Sequence, residues 1–117
     1  MNCTVCICDN DSITAVHHAS KREYLDADIT SDVAKIIWDK KAKIINRATS
    51  PGGIVRICEK EINGDEYTTQ CFAPILPEGD PIGCVLVLSK AQGRSFDETV
   101  LTCARVTAAL ISRHMLI

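Results

Sequence analysis

The segment GDPIGCVLVLSK, residues 79–90, decides the fold class of this chain. Residues 81–90 form the strongest predicted β-strand, in which successive side chains point to opposite faces. One face carries Ile82, Cys84, Leu86 and Leu88, and the other carries Val85 and Val87. Because both faces are apolar, both must be covered. The loop LPEGD joins this strand to the one before it as in a hairpin, which predicts a central antiparallel strand between two layers.

The rest of the chain supplies further strands and three helices. Turn residues separate short β-prone runs, and apolar residues recur at helical spacing between and after them. The predicted strands cover residues 4–8, 12–17, 43–47, 67–75 and 81–90, with 54–60 as a possible sixth, and the predicted helices cover 21–25, 31–41 and 96–115. Strands that run together with helices between and after them give an α+β domain. We therefore predict a single three-layer domain over residues 1–117, with a central antiparallel sheet of five or six strands and helices on both faces.

The C-terminal helix has a wider apolar surface than one sheet contact requires. Ser95 is its predicted N-cap, with Glu98 at the capping-box position. Its predicted contact face carries Phe96, Val100, Cys103, Thr107, Leu110 or Ile111, and His114, and this face is widened by Leu101, Ala104, Ala108 and Met115. We infer a second contact, with a partner helix in a homo-oligomer. The predicted interface residues are Val100, Ala104, Thr107, Ala108 and Ile111.

Composition argues against a protein that binds nucleic acid or a membrane by itself. The formal net charge is −2 and aromatic residues make up 4% of the chain. Such a chain has neither the basic patch that holds phosphates nor the aromatic platform on which bases stack. No apolar run approaches the roughly 20 residues that span a bilayer, and residues 1–8 lack a signal-peptide pattern. We expect a cytoplasmic protein without membrane contact.

The seven cysteines are expected to be reduced thiols in a cytoplasmic chain. Cys3, Cys6 and Cys8 have a spacing that suggests metal binding. However, Cys3 and Cys6 point to opposite faces of a strand, and no second Cys-x2-Cys completes a site. Five cysteines stand in apolar stretches and are predicted to act as small hydrophobic residues: Cys6, Cys8, Cys71, Cys84 and Cys103. We predict no metal and no cofactor.

No catalytic motif occurs in the sequence. The nucleophile-elbow, zinc-protease, P-loop and dinucleotide-binding patterns are missing, so no catalytic residue is predicted. A ligand pocket is the other possibility. It would be formed by His17, Tyr24, Trp38 and Cys71 if the helices cap one face of the sheet. Simpler interpretations stand beside it, with His17 as an exposed loop residue and Trp38 as a half-buried packing residue.

Three segments carry a resemblance to a known family: ICDNDSITAV with the following SKREYL, then GDPIGCVLVLSK, then the terminal TCARVTAALISRHM. Over residues 3–117 the chain resembles the GAF-like C-terminal domain of the stage V sporulation protein T family of transcriptional regulators. The resemblance implies a central antiparallel sheet, with terminal helices on one face and a potential ligand pocket under the other helices. It also implies oligomerisation, and DNA binding through a separate N-terminal domain.

The sequence departs from that family at its start. From the resemblance we expect neither the DNA-binding domain nor the helix before the first strand within these residues. We expect this to uncover one face of the sheet and of the terminal helix, which strengthens the expectation of association. Contact with DNA is expected only through a domain absent from this chain.

Three functions remain open from the sequence. The first is a regulatory sensor domain that binds a small effector, mediates oligomerisation, or does both. The second is a dimerisation module without a ligand. The third, which is less favoured, is a cysteine-dependent reductase of free methionine sulfoxide, an activity of some GAF-like proteins that needs an exposed thiolate of low pKa.

Overall fold

The computed structural model describes residues 3–18, 21–60 and 67–115. A β-hairpin comes first, two short helices follow, and three further strands precede a long terminal helix. The strands are β1 (Thr4–Asp9), β2 (Ile13–His17), β3 (Lys43–Asn46), β4 (Thr69–Ile75) and β5 (Gly83–Ser89), and the helices are α1 (Lys21–Tyr24), α2 (Ser31–Trp38) and α3 (Glu98–Met115). None of the helices described combines the length and the apolar character needed to cross a membrane.

The five strands form one antiparallel sheet in the order β2-β1-β5-β4-β3. The segment at residues 79–90 supplies β5, which is the middle strand. It pairs with β4 on one side, from Gly83 to Ser89, and with β1 on the other, from Gly83 to Leu88. The prediction of a central antiparallel strand is confirmed.

Each face of the sheet has its own hydrophobic core. Cys84, Leu86 and Leu88 pack with α1 and α2 on one face, and Val85 and Val87 pack with α3 on the other. This arrangement confirms the predicted three-layer α+β class. Ile82 was predicted to share the face of Cys84, but it precedes β5 and packs on the α3 side instead. Side chains alternate between the two faces of the sheet only from Gly83, where β5 begins.

The possible sixth strand at residues 54–60 is not formed, and the sheet has five strands. This segment makes a single isolated bridge, between Cys58 and Ile29, and otherwise runs beside the sheet without a ladder. The side-chain amide of Gln70 takes the place of a neighbouring strand: its Oε1 accepts from the Val55 amide at 3.0 Å, and its Nε2 donates to the Val55 carbonyl at 2.7 Å. A buried side chain in β4 thus satisfies the backbone that a strand would have paired.

The ends of the helices are set by local hydrogen bonds. Thr30 caps α2, because its hydroxyl accepts from the amide of Val33. The helix stops at Trp38 rather than near residue 41, and Lys40 follows with a φ of 62°. The predicted N-cap of α3, Ser95, is wrong. The Asp97 carboxylate accepts from the amides of Thr99 and Val100, so the acceptor role falls to Asp97.

A small polar network fixes the start of α3 on the sheet. The amide of Phe96 donates to the Thr69 hydroxyl at 3.0 Å and to Oδ1 of Asn46 at 3.2 Å, and the Thr69 hydroxyl also donates to Asn46. Asn46 and Thr69 are register partners in β3 and β4. The network therefore sets where α3 begins to cross the sheet.

Candidate functional site

The four predicted ligand residues are not brought together. His17 is exposed at the end of β2, and Trp38 is 60% exposed at the end of α2. Tyr24 is buried on the α1 and α2 side, where its hydroxyl lies 2.5 Å from the hydroxyl of Tyr67. Cys71 is buried on the opposite face of the sheet, in the core beneath α3. A pocket shared by Tyr24 and Cys71 would have to pass through the sheet.

Side chains fill the space beneath α1 and α2. Tyr67, Phe72 and Leu86 are almost completely buried there, and Ile37 of α2 packs into the same cluster. The resemblance to a GAF-like domain implied a ligand pocket in this region. In this chain the region is a hydrophobic core.

The cysteines lie where a strand alternation predicts. Cys3 packs on the α3 side, whereas Cys6 and Cys8 pack on the other side. Burial raises the pKa of the Cys8 thiol to about 12 and that of Cys71 to about 11, and it raises the pKa of Cys84 well above its ordinary value. These thiols stay protonated at neutral pH and are poor nucleophiles. Within the described ranges, no three His, Cys, Asp or Glu side chains gather as a metal site would require.

The buried face of α3 is rotated from the predicted one. Ala104 and Ala108 are almost completely buried against the sheet, and Leu101 and Ile111 pack beside them. The predicted contact face is wrong at three of its positions, which are exposed: Cys103, Thr107 and His114. Of the alternatives Leu110 and Ile111, it is Ile111 that packs on the sheet side. Small residues pack against the sheet because they let the helix backbone approach it closely. Three of the four residues named as widening the face, Leu101, Ala104 and Ala108, pack on the sheet side, and the side chain of Met115 lies outside the described part of the chain.

This rotation also decides which predicted interface residues remain accessible. Thr107 is exposed, Val100 and Ile111 are half-buried, and Ala104 and Ala108 are 3% and 4% exposed. The two alanines are therefore used inside the domain and offer almost no surface to a partner.

The solvent side of α3 is unusual in carrying almost no charge. Val106 is 53% exposed and Leu110 is 58% exposed. Between residues 99 and 112 the one charged residue is Arg105, which turns toward the β4 side of the helix. Ala109 is exposed on that same side. We call the other exposed positions of this stretch the outer face of α3: Thr99, Thr102, Cys103, Val106, Thr107 and Leu110. Exposed helix faces normally carry charged side chains, so this absence is the signal in the sequence that could have located the face.

Comparison with known proteins places this chain among regulators. The family described as "Stage V sporulation protein T C-terminal, transcription factor" matches residues 1–116. The chain belongs to this family. The resemblance to the C-terminal domain of the stage V sporulation protein T family is thereby confirmed, and the domain is a regulatory one related to sporulation.

One curated relative is stage V sporulation protein T of Bacillus subtilis (strain 168), which is 30% identical over 112 residues. The match covers 96% of this chain but 58% of the relative, so the chain spans little more than half the length of that protein. A solved structure of a methyl-accepting chemotaxis protein, residues 122 to 287, superposes with a TM-score of 0.72 at 18% identity, over 97% of this chain and 77% of that one. This likeness concerns the fold alone, and it fits a GAF-like architecture.

Proposed function

We propose that this chain is a cytoplasmic regulatory domain of a sporulation-type transcriptional regulator, and that it works by self-association through the outer face of α3. The observation that carries the proposal is the uncharged outer face with Val106 and Leu110 exposed. Contact with DNA belongs, in this proposal, to a part of the regulator outside these 117 residues.

A second copy of the chain is the partner that this surface fits. Symmetric pairing brings the same surface patch of two copies together, so charges of one sign on that patch would repel one another. The outer face of α3 avoids that repulsion because its members are hydroxyl, thiol and aliphatic side chains. Exposed apolar side chains on a helix that already has a buried face are typical of an interaction surface.

The state of the thiols supports regulation rather than catalysis. A sulfoxide reductase needs an accessible thiolate and a second cysteine nearby to resolve it. Six cysteines are buried, and Cys103 is the exposed one. A small effector also belongs to the proposal, but the four residues that the sequence predicts to bind it do not lie together. Self-association is therefore the role that the geometry favours.

Sedimentation of the wild-type chain and of Leu110→Glu tests the proposal. We expect the wild type to dimerise at micromolar concentration, and the substitution to weaken the dimer about a hundredfold, because an unpaired charge would be buried in the contact. Trp38→Glu is the matched control, since Trp38 is equally exposed but lies on α2. A wild type that stays monomeric, or a dimer broken by Trp38→Glu and not by Leu110→Glu, would overturn it.

A further inference from the structure

A cleft of about 520 Å³ lies on the other side of α3, between this helix and the edge of β4. Its floor includes Pro74 and its walls include Leu76 and Ala109. The cleft is separate from the outer face, because Arg105, Ala109 and Ser112 line it from a different side of the helix.

The cleft exists because the β3–β4 ladder ends early. The last pair in the ladder joins Lys43 to Phe72, and Pro74 follows two residues later on β4. Proline has no amide hydrogen to donate, so the neighbouring chain cannot continue the ladder there. Residues 40–42 precede β3 without pairing to β4, and they line the space that is left between β4 and α3.

Three cations converge on this space, namely Lys40, Lys41 and Arg105, and no acidic side chain in the described part of the chain lines it. Asp80 approaches Lys40 at 3.8 Å, but this carboxylate is 91% exposed and such a surface pair contributes little. The other two cations make no ion pair among the described residues. The cleft therefore holds a concentrated positive charge beside apolar walls.

The backbone at Lys40 adds an independent observation. Lys40 has a φ of 62° in the turn that ends α2, a conformation that glycine adopts without cost and that other residues adopt at a cost of about 1 kcal/mol. The geometry of the turn therefore favours glycine at this position and does not explain the presence of lysine. Its side chain supplies one of the three cations of the cleft.

We propose that this cleft binds a small organic anion, with a phosphate or carboxylate group held by Arg105, Lys40 and Lys41 and a short apolar body against Leu76 and Ala109. A guanidinium can bind such a group through two parallel hydrogen bonds, and the two ammonium groups add charge. The proposal does not depend on self-association, because the cleft and the outer face lie on different sides of α3.

Titration of the ¹⁵N-labelled chain with inorganic phosphate, glycerol phosphate and succinate, at constant ionic strength, tests this site. We expect saturable shifts of the amides of Lys41, Ala109 and Ser112. Tighter binding of glycerol phosphate than of inorganic phosphate would show that the apolar walls contribute, and comparison with succinate distinguishes a phosphate ligand from a carboxylate ligand.

Three variants separate a built site from general attraction to positive charge. Arg105→Gln should raise the dissociation constant about tenfold, whereas Lys35→Gln, which removes an exposed cation from α2, should change it less than about twofold. Lys40→Gly should bind more weakly and yet melt at a higher temperature, because it relieves the positive φ. If Lys40 had only a structural role, Lys40→Gly would change the melting temperature without weakening the binding of the anion.

Two outcomes would overturn the proposal. In the first, the amide chemical shifts do not saturate as the anion is added, and Arg105→Gln and Lys35→Gln reduce them by the same amount. The other is a set of shifts centred on the smaller basic cleft of about 350 Å³, which Arg47, Lys90 and Arg94 line. Arg105→Gln should sediment like the wild type. This measurement distinguishes a failure of the anion-binding proposal from a failure of the self-association proposal.

Discussion

At the residue scale, Gly83 shows how closely the strands approach one another. It opens β5 and stands opposite Asp9 in the register with β1. A Cβ atom at this position would lie 2.0 Å from the carbonyl oxygen of Cys8, which is part of the backbone and cannot rotate away. The second glycine of the GDPIG motif is therefore required by the sheet itself, independently of turn geometry.

We expect Gly83→Ala to lower the free energy of unfolding by about 3 kcal/mol or more, because β1 and β5 would have to separate at the centre of the sheet. Urea unfolding followed by circular dichroism measures this loss. Gly52→Ala is the control, since a Cβ there meets nothing within 4 Å, and its effect should stay within about 1 kcal/mol. Equal stability of the two variants would contradict this account of Gly83.

At the scale of elements, side chains replace backbone pairing at the edge of the domain. The side-chain amide of Gln70 holds the segment around Val55 to β4. Two residues further on, the backbone amide of Thr30 donates to the carbonyl of Ile57 at 3.1 Å. Alternating apolar residues in this segment predicted a strand. In the structure, Ile54, Val55 and Ile57 pack onto the core beside α2 although the segment forms no strand.

We expect Gln70→Leu to lower the free energy of unfolding by about 2 kcal/mol, because the Val55 amide and carbonyl both lose their partner. Hydrogen exchange at the Val55 amide should accelerate more than exchange within β5. Gln92→Leu makes the same substitution at an exposed site and should change stability by less than about 0.5 kcal/mol. Unchanged exchange at Val55 in Gln70→Leu would show that the segment is held by its apolar contacts alone.

At the scale of the whole molecule, a sheet covered on both faces protects nearly all of the thiols. The buried cysteines are divided between the two cores, and Cys103 on α3 is the exposed one. Protection has two physical sources, since burial blocks the reagent and also raises the pKa of Cys8 and Cys71. Reactivity of the thiols therefore reports whether the two layers of helices stay closed.

We expect one fast-reacting thiol per native chain in a disulfide-exchange titration at neutral pH, carried out at a protein concentration low enough to keep the chain monomeric, and all seven after unfolding. Cys103→Ser should abolish the fast phase without changing the melting temperature, because the residue is exposed on α3. A fast thiol that persists in Cys103→Ser would reveal an accessible second cysteine. That result would revive the reductase hypothesis.

Local patterns in the sequence were enough to predict the layered architecture. Alternation of side chains along a strand is a property of the backbone itself, so two apolar faces in residues 83–89 require a layer on each side wherever the strand is placed. The first two strands and the opposite orientations of Cys3 and Cys6 followed from equally local chemistry.

Only the tertiary structure decided which surfaces are free to act. The rotation of α3 about its axis depends on the fit of Ala104 and Ala108 to the sheet and on the anchoring of Phe96, contacts that join residues far apart in the chain. The separation of Tyr24 from Cys71 depends likewise on which face each element meets. A broad apolar arc predicts that a helix has two contacts, but the packing of neighbouring elements determines which side is left for a partner.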